Sequence, residues 1–485
     1  MSCNSKKSIV AKLGTTLKDR IDFILNNAIL KKEARTSKFV QRTSSSLSGE
    51  EFIRALLHSS IHPSATPLSG LCDLISDFKP GTNITVSALR QRVASSTSHD
   101  YLKQIFQHVL SVHLEKPLDK IWSITNGNNR GALLFFPRVF LEDSTEAELN
   151  PKLADEFKGS GGGCSKACVK IDLIYELKSK TIFSLQIADR RSPDQTLGKK
   201  IMEHIREGDL ILRDLGYFDT KIFKVIVTTK AFFLTRLHGS CNVFLNEADE
   251  EELEIGIFLD KLYKKHGCID CNLFLSKKKI PCRLVAYPVP ENVYNKRMRE
   301  YKMRCNKGRK RQPTKEMAAR LKYTILLTNV PKEVWSYEVV GTVYTARWQI
   351  ELIFKNWKSQ LKVHHLIGSS PNRILTLIYA KLIVILLINT IYVFIDRYVS
   401  HYLKGEVSMH KLINWLIRNG RITQIIRSGF KIRHWRLLVK HTQHNLITKE
   451  TNGRKRKSTL QLLDEQASYL SIYTQGSNME GFNAS

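Results

Sequence analysis

"ACVKIDLIYELKSKTIFSLQIAD", residues 167–189, is the stretch on which the fold turns. Val169, Ile171, Leu173 and Tyr175 recur at every second position against more polar neighbours, the period of a strand with one buried face. A tight connection then leads into "TIFSLQIAD" (181–189), so the two runs predict an antiparallel pair. Upstream, "ALLFFPRVFLEDST" (132–145) is apolar and β-rich and predicts a strand ending at Asp143. Downstream, "SPDQTLGKKIMEHIREG" (192–208) carries the signals of a helix start. Ser192 stands at the N-cap, Pro193 at the first position and Gln195 at the close of a capping box, with Leu197, Ile201 and Ile205 on one face. A fourth strand, "DLILRD" (209–214), ends at Asp214 before the turn "LGYF". The order strand, strand, strand, helix, strand allows the fourth strand to lie beside the first, which brings Asp143 near Asp214. Carboxylates that close repel unless a cation lies between them, and a divalent metal supplies one.

Composition points to a polyanionic partner. The 485-residue chain has 76 Lys and Arg against 45 Asp and Glu, a formal charge of +31, far beyond what solubility needs. The basic run "KRMREYKMRCNKGRKRQPTKEMAARLK" (296–322) reads as a phosphate-facing arm or, more plainly, as a solvated charged loop. With 42% hydrophobic residues, the chain supports a sizeable core and more than one domain. Lys12 and Lys18 interrupt the amino-terminal apolar pattern, so secretion is not expected, and the nine cysteines are expected to be reduced. The run "ILTLIYAKLIVILLINTIYVFI" (374–395) approaches the length of a bilayer span, but Lys381 and Asn389 favour a buried helix over a membrane one.

Residues 1–130 read as helical and polar, with "SGEEFIRALLHSSI" (48–61) opening on a capping box between Ser48 and Glu51. Between 240 and 323, "IGIFLD" and "PCRLVAYPV" read as short β-type runs. Residues 401–485 are helical and basic, with a tail from about 450 expected to be disordered.

The last informative stretch is "YTARWQIELIFKNWKSQL" (344–361), read as one amphipathic helix. At the α-helical rotation Tyr344, Arg347, Glu351, Lys355 and Lys358 share a sector about 80° wide, while Ile350, Ile353, Phe354, Trp357 and Leu361 fill another side. Ordinary i,i+4 pairs account for part of this pattern. They leave an excess of cations around one carboxylate, which an anionic ligand would complete.

Asp143 in "EDST", Asp214 in "RDLGYF", and Tyr344, Arg347, Glu351 and Lys358 in order resemble the DDE transposases of the insertion-sequence-4 type. The resemblance runs from about residue 36 to beyond 395 and takes in "FVQRTSSSLSGEEF", "LLTNVP" and "LIYAKLI". It implies a ribonuclease-H-like α/β fold, a mixed sheet flanked by helices, over residues 131–400. A β-rich insertion at 240–323 would interrupt that core before its last acid. Residues 1–130 would form a helical region that binds the transposon ends, and 401–485 a helical region for dimerisation or DNA contact.

The implied activity is that of a bacterial insertion-sequence transposase: binding of terminal repeats in double-stranded DNA, metal-dependent cleavage at the ends, and strand transfer into target DNA. Asp143, Asp214 and Glu351 would be both catalytic residues and ligands of two Mg2+ ions, with Mn2+ as a substitute. Tyr344, Arg347 and Lys358 would contact DNA near the cut. The implied setting is cytoplasmic and nucleoid-associated, with a homodimer when ends are paired. A nuclease without strand transfer and an inactive DNA-binding relic are the alternatives. On residues alone, Asp143 also suits a turn and Asp214 a strand end, and Asp172, Asp189, Asp194 and Asp219 compete as acids. Arg213 departs from the resemblance, since many relatives have a small residue before the second aspartate.

Overall fold

The computed structural model describes residues 3–42, 45–61, 67–115, 131–160, 165–307, 314–403, 405–447 and 463. The three strands are present as β1 (Val139–Glu148), β2 (Cys168–Glu176) and β3 (Thr181–Asp189), paired antiparallel in sequence. β1 continues five residues past the expected end, so Asp143 lies mid-strand. β4 (Leu210–Arg213) runs parallel to β1 on its free side, and β5 (Phe232–Arg236) runs parallel to β4. Four further strands follow: β6 (Val243–Phe244), β7 (Ile269–Leu275), β8 (Ile280–Pro288) and β9 (Tyr323–Thr328). The nine strands form one mixed sheet in the order β3-β2-β1-β4-β5-β9-β8-β7-β6. Its first five strands, with β2 antiparallel to its neighbours and β1, β4 and β5 parallel, have the ribonuclease-H-like order.

Three local expectations are corrected. The helix expected over 192–208 is one α-turn, Asp194–Leu197, tightening into a 3-10 stretch, Gly198–Glu203. Pro193 takes the N-cap without a side-chain bond, and Gln195 instead donates to the Phe218 carbonyl at 2.9 Å. "IGIFLD" is not β but the start of a helix, Ile255–His266. The Glu316 carboxylate, sixty residues on, accepts from the backbone N–H groups of Gly256 and Ile257 at 2.6 and 3.0 Å and so caps it. A Cβ at position 256 would lie 2.3 Å from the Glu316 carbonyl oxygen, so the close approach of the two helices requires glycine. The segment between β5 and β9 is accordingly mixed α/β, and its strands extend the main sheet through the β8–β9 ladder.

The apolar run is a buried core helix, Pro371–Tyr402, whose most apolar window is 83% buried. Asn389 on it bonds the Ile182 N–H and the Lys180 carbonyl, and Asp396 pairs with Lys180 at 2.9 Å. The helices Cys3–Ile24, Gly49–Ile61 and Ser96–Glu115 pack on it, and the Ser48–Glu51 capping box forms as expected. On the carboxyl-terminal side, Trp435 of the helix Ile432–His441 donates to the Val10 carbonyl at 2.8 Å. One continuous core therefore joins both terminal helical regions to the helix-covered face of the sheet. The disorder expected from about 450 concerns residues that, Leu463 apart, lie outside those described.

Candidate active site

Strand register places the first two acids. The β1–β4 ladder ends on the pair Glu142 and Arg213, so Asp143 and Asp214 are the next residues on each strand, where β4 stops. Side chains alternate across a sheet. Asp143 therefore shares the face of Leu141, which packs in the same core as Ile350, while Glu142 points to the opposite face.

The third acid arrives on a helix that differs from the expected one. The stretch 344–361 is broken: Tyr337–Thr345 ends before Ala346, and Trp348–Gln360 begins after Arg347. The backbone there bonds three residues back, Arg347 N–H to Tyr344 O and Ile350 N–H to Arg347 O, both at 3.2 Å. Ile350, Ile353, Phe354, Trp357 and Leu361 are all buried, as their spacing predicts, and this face seats the helix against β1. Glu351 consequently sits in the first helical turn above Asp143.

The three acids meet at one side chain. The Arg347 guanidinium lies 2.9 Å from Glu351 Oε1, 3.5 Å from Asp143 Oδ2 and 3.6 Å from Asp214 Oδ1. Arg236, at the end of β5, adds a second cation, 3.0 Å from Asp214 Oδ1. Nothing in the local pattern singles out Arg236; only the parallel placement of β5 beside β4 brings it here. Tyr344 packs beside both arginines, its hydroxyl buried and without a well-formed hydrogen bond. From Asp143 and Glu351 an open cleft runs past Lys355 and Lys358 to Lys362 and His364. Among the described residues, none of the three lysines forms an ion pair. Lys362 ends the helix in the left-handed region, φ 47°, a conformation that favours glycine. Burial and the neighbouring Lys358, His365, Lys362 and Lys381 hold the His364 imidazole below its usual pKa.

Burial pushes the Asp143 carboxyl up to about 6; the Ser144 N–H and Arg347 oppose the shift, and Asp214 and Glu351 add to it. A carboxyl raised above its unfolded value weakens the fold as pH rises through the raised value. Asp143→Asn is therefore expected to stabilise the protein by about 1–2 kcal/mol at pH 8, at 1.36 kcal/mol per pKa unit less screening, with the gain vanishing near pH 4. Urea denaturation at the two pH values measures this.

The other face of the sheet explains Arg213. Its side chain is fully buried, 2.6 Å from Glu142 Oε2, and donates to the carbonyls of Gly198 at 2.6 Å and Tyr217 at 3.1 Å. Tyr217 in turn donates to Asp172 at 2.5 Å, and Asp194 pairs with Lys170 at 2.8 Å. Asp219 caps the helix Thr220–Thr228, and Asp189 accepts from the Ser192 N–H. None of these four aspartates touches Arg347, so the competing acids have structural partners instead.

Carboxylate oxygens are hard donors and suit a hard divalent ion. As they stand, however, the three acids surround a guanidinium, and among the described residues no group of acids, histidines or cysteines is arranged to hold a metal. The donor set fits in kind, with the Arg347 side chain in the space between the acids.

A family model described as a transposase DDE domain matches residues 134–387, just over half of the chain. The transposase of insertion sequence IS231F from Bacillus thuringiensis subsp. israelensis is 27% identical over 407 residues, covering 80% of this chain and 82% of that protein. The transposase of IS1151 from Clostridium perfringens is 26% identical over 397 residues, covering 78% and 80%. Among solved structures, a cryo-electron-microscopy structure of a piggyBac transposase synaptic complex with hairpin DNA matches at a TM-score of 0.40 and 12% identity, covering 90% of this chain and 86% of that one.

Proposed function

Because this chain belongs to the DDE transposase family, an enzyme family that acts on DNA with divalent metal, we propose that Asp143, Asp214 and Glu351 are its catalytic acids and metal ligands. The observation that carries the assignment is their convergence on one guanidinium from a strand, a strand end and a helix more than 200 residues along the chain. Mg2+, with Mn2+ as substitute, would supply an activated attacking oxygen and neutralise charge at the scissile phosphate.

The protein's own groups then divide the remaining work. Tyr344, Arg347 and Lys358 hold phosphates of the bound end, the arginine through a planar fork that matches phosphate oxygens. Lys355 and Lys362 extend that contact along the cleft. We assign the protein to cut-and-paste transposition of a bacterial insertion sequence: recognition of terminal repeats, hydrolysis at the ends, and attack of the freed 3′ hydroxyl on target DNA. Two chains pairing the two ends as a dimer suit this chemistry, since each end needs a site.

A Mg2+-dependent assay on duplex carrying the element's own ends, with a target plasmid, tests the reading. End cleavage followed by insertion into the plasmid is expected. Cleavage without insertion would make the protein a nuclease, and binding without cleavage a DNA-binding relic. Separately, Lys355→Ala, Lys358→Ala and Lys362→Ala should each weaken duplex binding at every sequence. Each should also lower the slope of log affinity against log salt by about 1, as loss of one phosphate contact does. A slope unchanged in all three would remove the cleft from the DNA path.

A further inference from the structure

The three acids share one cation, Arg347, at their centre, with Arg236 reaching Asp214 alone from the side, where a divalent site would have two ions. Arg347 is only 13% exposed and fills the centre of the cluster, so its N–H groups face the oxygens that an ion would need. A guanidinium and a divalent ion cannot share that space, because each would face the other's charge at contact distance. Without Arg347, three carboxylates held this close would repel one another. Its side chain, with Arg236 at Asp214, thus makes the cluster tolerable in the absence of metal, and Arg347 alone touches all three acids.

A second observation indicates where the side chain goes. The Nε atoms of Arg347 and Arg236 and the Tyr344 hydroxyl are buried and make no hydrogen bond of normal geometry, the Arg347 Nε reaching Asp214 Oδ1 only at 3.6 Å. Buried donors left open in this way mark a missing acceptor. All three lie at one end of the cluster, around Asp214, and an oxyanion seated there would accept from both arginines and the tyrosine. A backbone phosphate is such an anion, and an arginine–phosphate fork competes well with an arginine–carboxylate one.

We infer that Arg347 is a placeholder for the metal: it gathers Asp143, Asp214 and Glu351 in the DNA-free protein and excludes ions until a phosphate draws its guanidinium away. The inference rests on the reading of those acids as ligands. Its consequence is that DNA binding and metal binding strengthen each other, by the same factor in both directions. An enzyme built this way holds its ions only where a phosphodiester is already seated.

Mn2+ binding to the full-length, DNA-free protein, read from loss of the free-ion electron-paramagnetic-resonance signal, tests this without any cleavage. Arg347→Gln is expected to bind Mn2+ at least tenfold more tightly than the parent protein. Arg347→Lys, which keeps a charge but reaches fewer of the acids, should show a smaller gain and serves if the first variant folds poorly. The added affinity should vanish in Arg347→Gln/Glu351→Gln. Equal affinity in parent and both variants would overturn the placeholder while leaving the ligand assignment intact. A gain that survives in the double variant would overturn both, since the ion would then sit elsewhere.

Discussion

Glu351→Gln is expected to leave duplex affinity within about twofold of the parent and to lower Mg2+-dependent end cleavage by about a thousandfold or more. Loss of a residue that merely supports a ligand costs about 10–100-fold, and a ligand itself should exceed that. The substitution is nearly isosteric and keeps a hydrogen-bond acceptor for Arg347, so the fold and the cationic cleft persist. Asp143→Asn and Asp214→Asn should behave alike. Because the three acids act as a unit, the double variant Asp143→Asn/Glu351→Gln should be little worse than either single one. End-labelled duplex resolved on a denaturing gel gives the rates. Cleavage by Glu351→Gln at the parent rate would remove the acids from the chemistry.

The second large effect lies on the far face of the sheet. Arg213→Met leaves the fully buried Glu142 carboxylate without its counter-charge, and breaking a buried pair from one side costs about 3–5 kcal/mol. Burial already pushes the Glu142 carboxyl up to about 7, with Arg213 opposing the shift. Removing the arginine raises it further. Below the raised value the carboxyl takes a proton and the penalty shrinks, so the loss should be larger at pH 8 than at pH 6. Glu142→Gln/Arg213→Met should recover most of the stability. Urea midpoints at both pH values decide it: a single variant within about 1 kcal/mol of the parent at pH 8, less than a typical core lesion, would mean that the pair contributes little. The pair also closes the β1–β4 ladder one residue before Asp143 and Asp214, so it braces the strand ends from which the two acids project.

The legible parts of the fold were those with a local cause. The strand positions around 169–189 and the apolar face of 350–361 are written in side-chain patterning, but the single buried face read for β2 is not what forms: all nine of its residues are buried, and Lys170, Asp172 and Glu176 on the second face are held by the Ser192 carbonyl, the Tyr217 hydroxyl and the Val139 N–H. The capping box at Ser48 formed because its partners are three residues apart. The failures share the opposite cause. "IGIFLD" is helical because Glu316 caps it from another segment, and 192–208 tightens where Arg213, from β4, takes the Gly198 carbonyl. The break at Ala346 and Arg347 was equally invisible, since both residues are compatible with a continuous helix. Arg236 had no signal at all, being one cation among many in a basic chain.

Local patterning was enough to put acids near 143 and 214 on adjacent strands, because right-handed crossover and strand order leave few other topologies. It also determined that a charged helix bearing Glu351 would bury its apolar side. The state of those acids, in contrast, is set by long-range packing alone: closed around Arg347, flanked by Arg236, and braced from behind by Glu142 and Arg213. Electrostatic pairing acts over a few ångströms in space, whatever the separation along the chain, so the partners of a charge appear only once the strands and helices have been laid side by side.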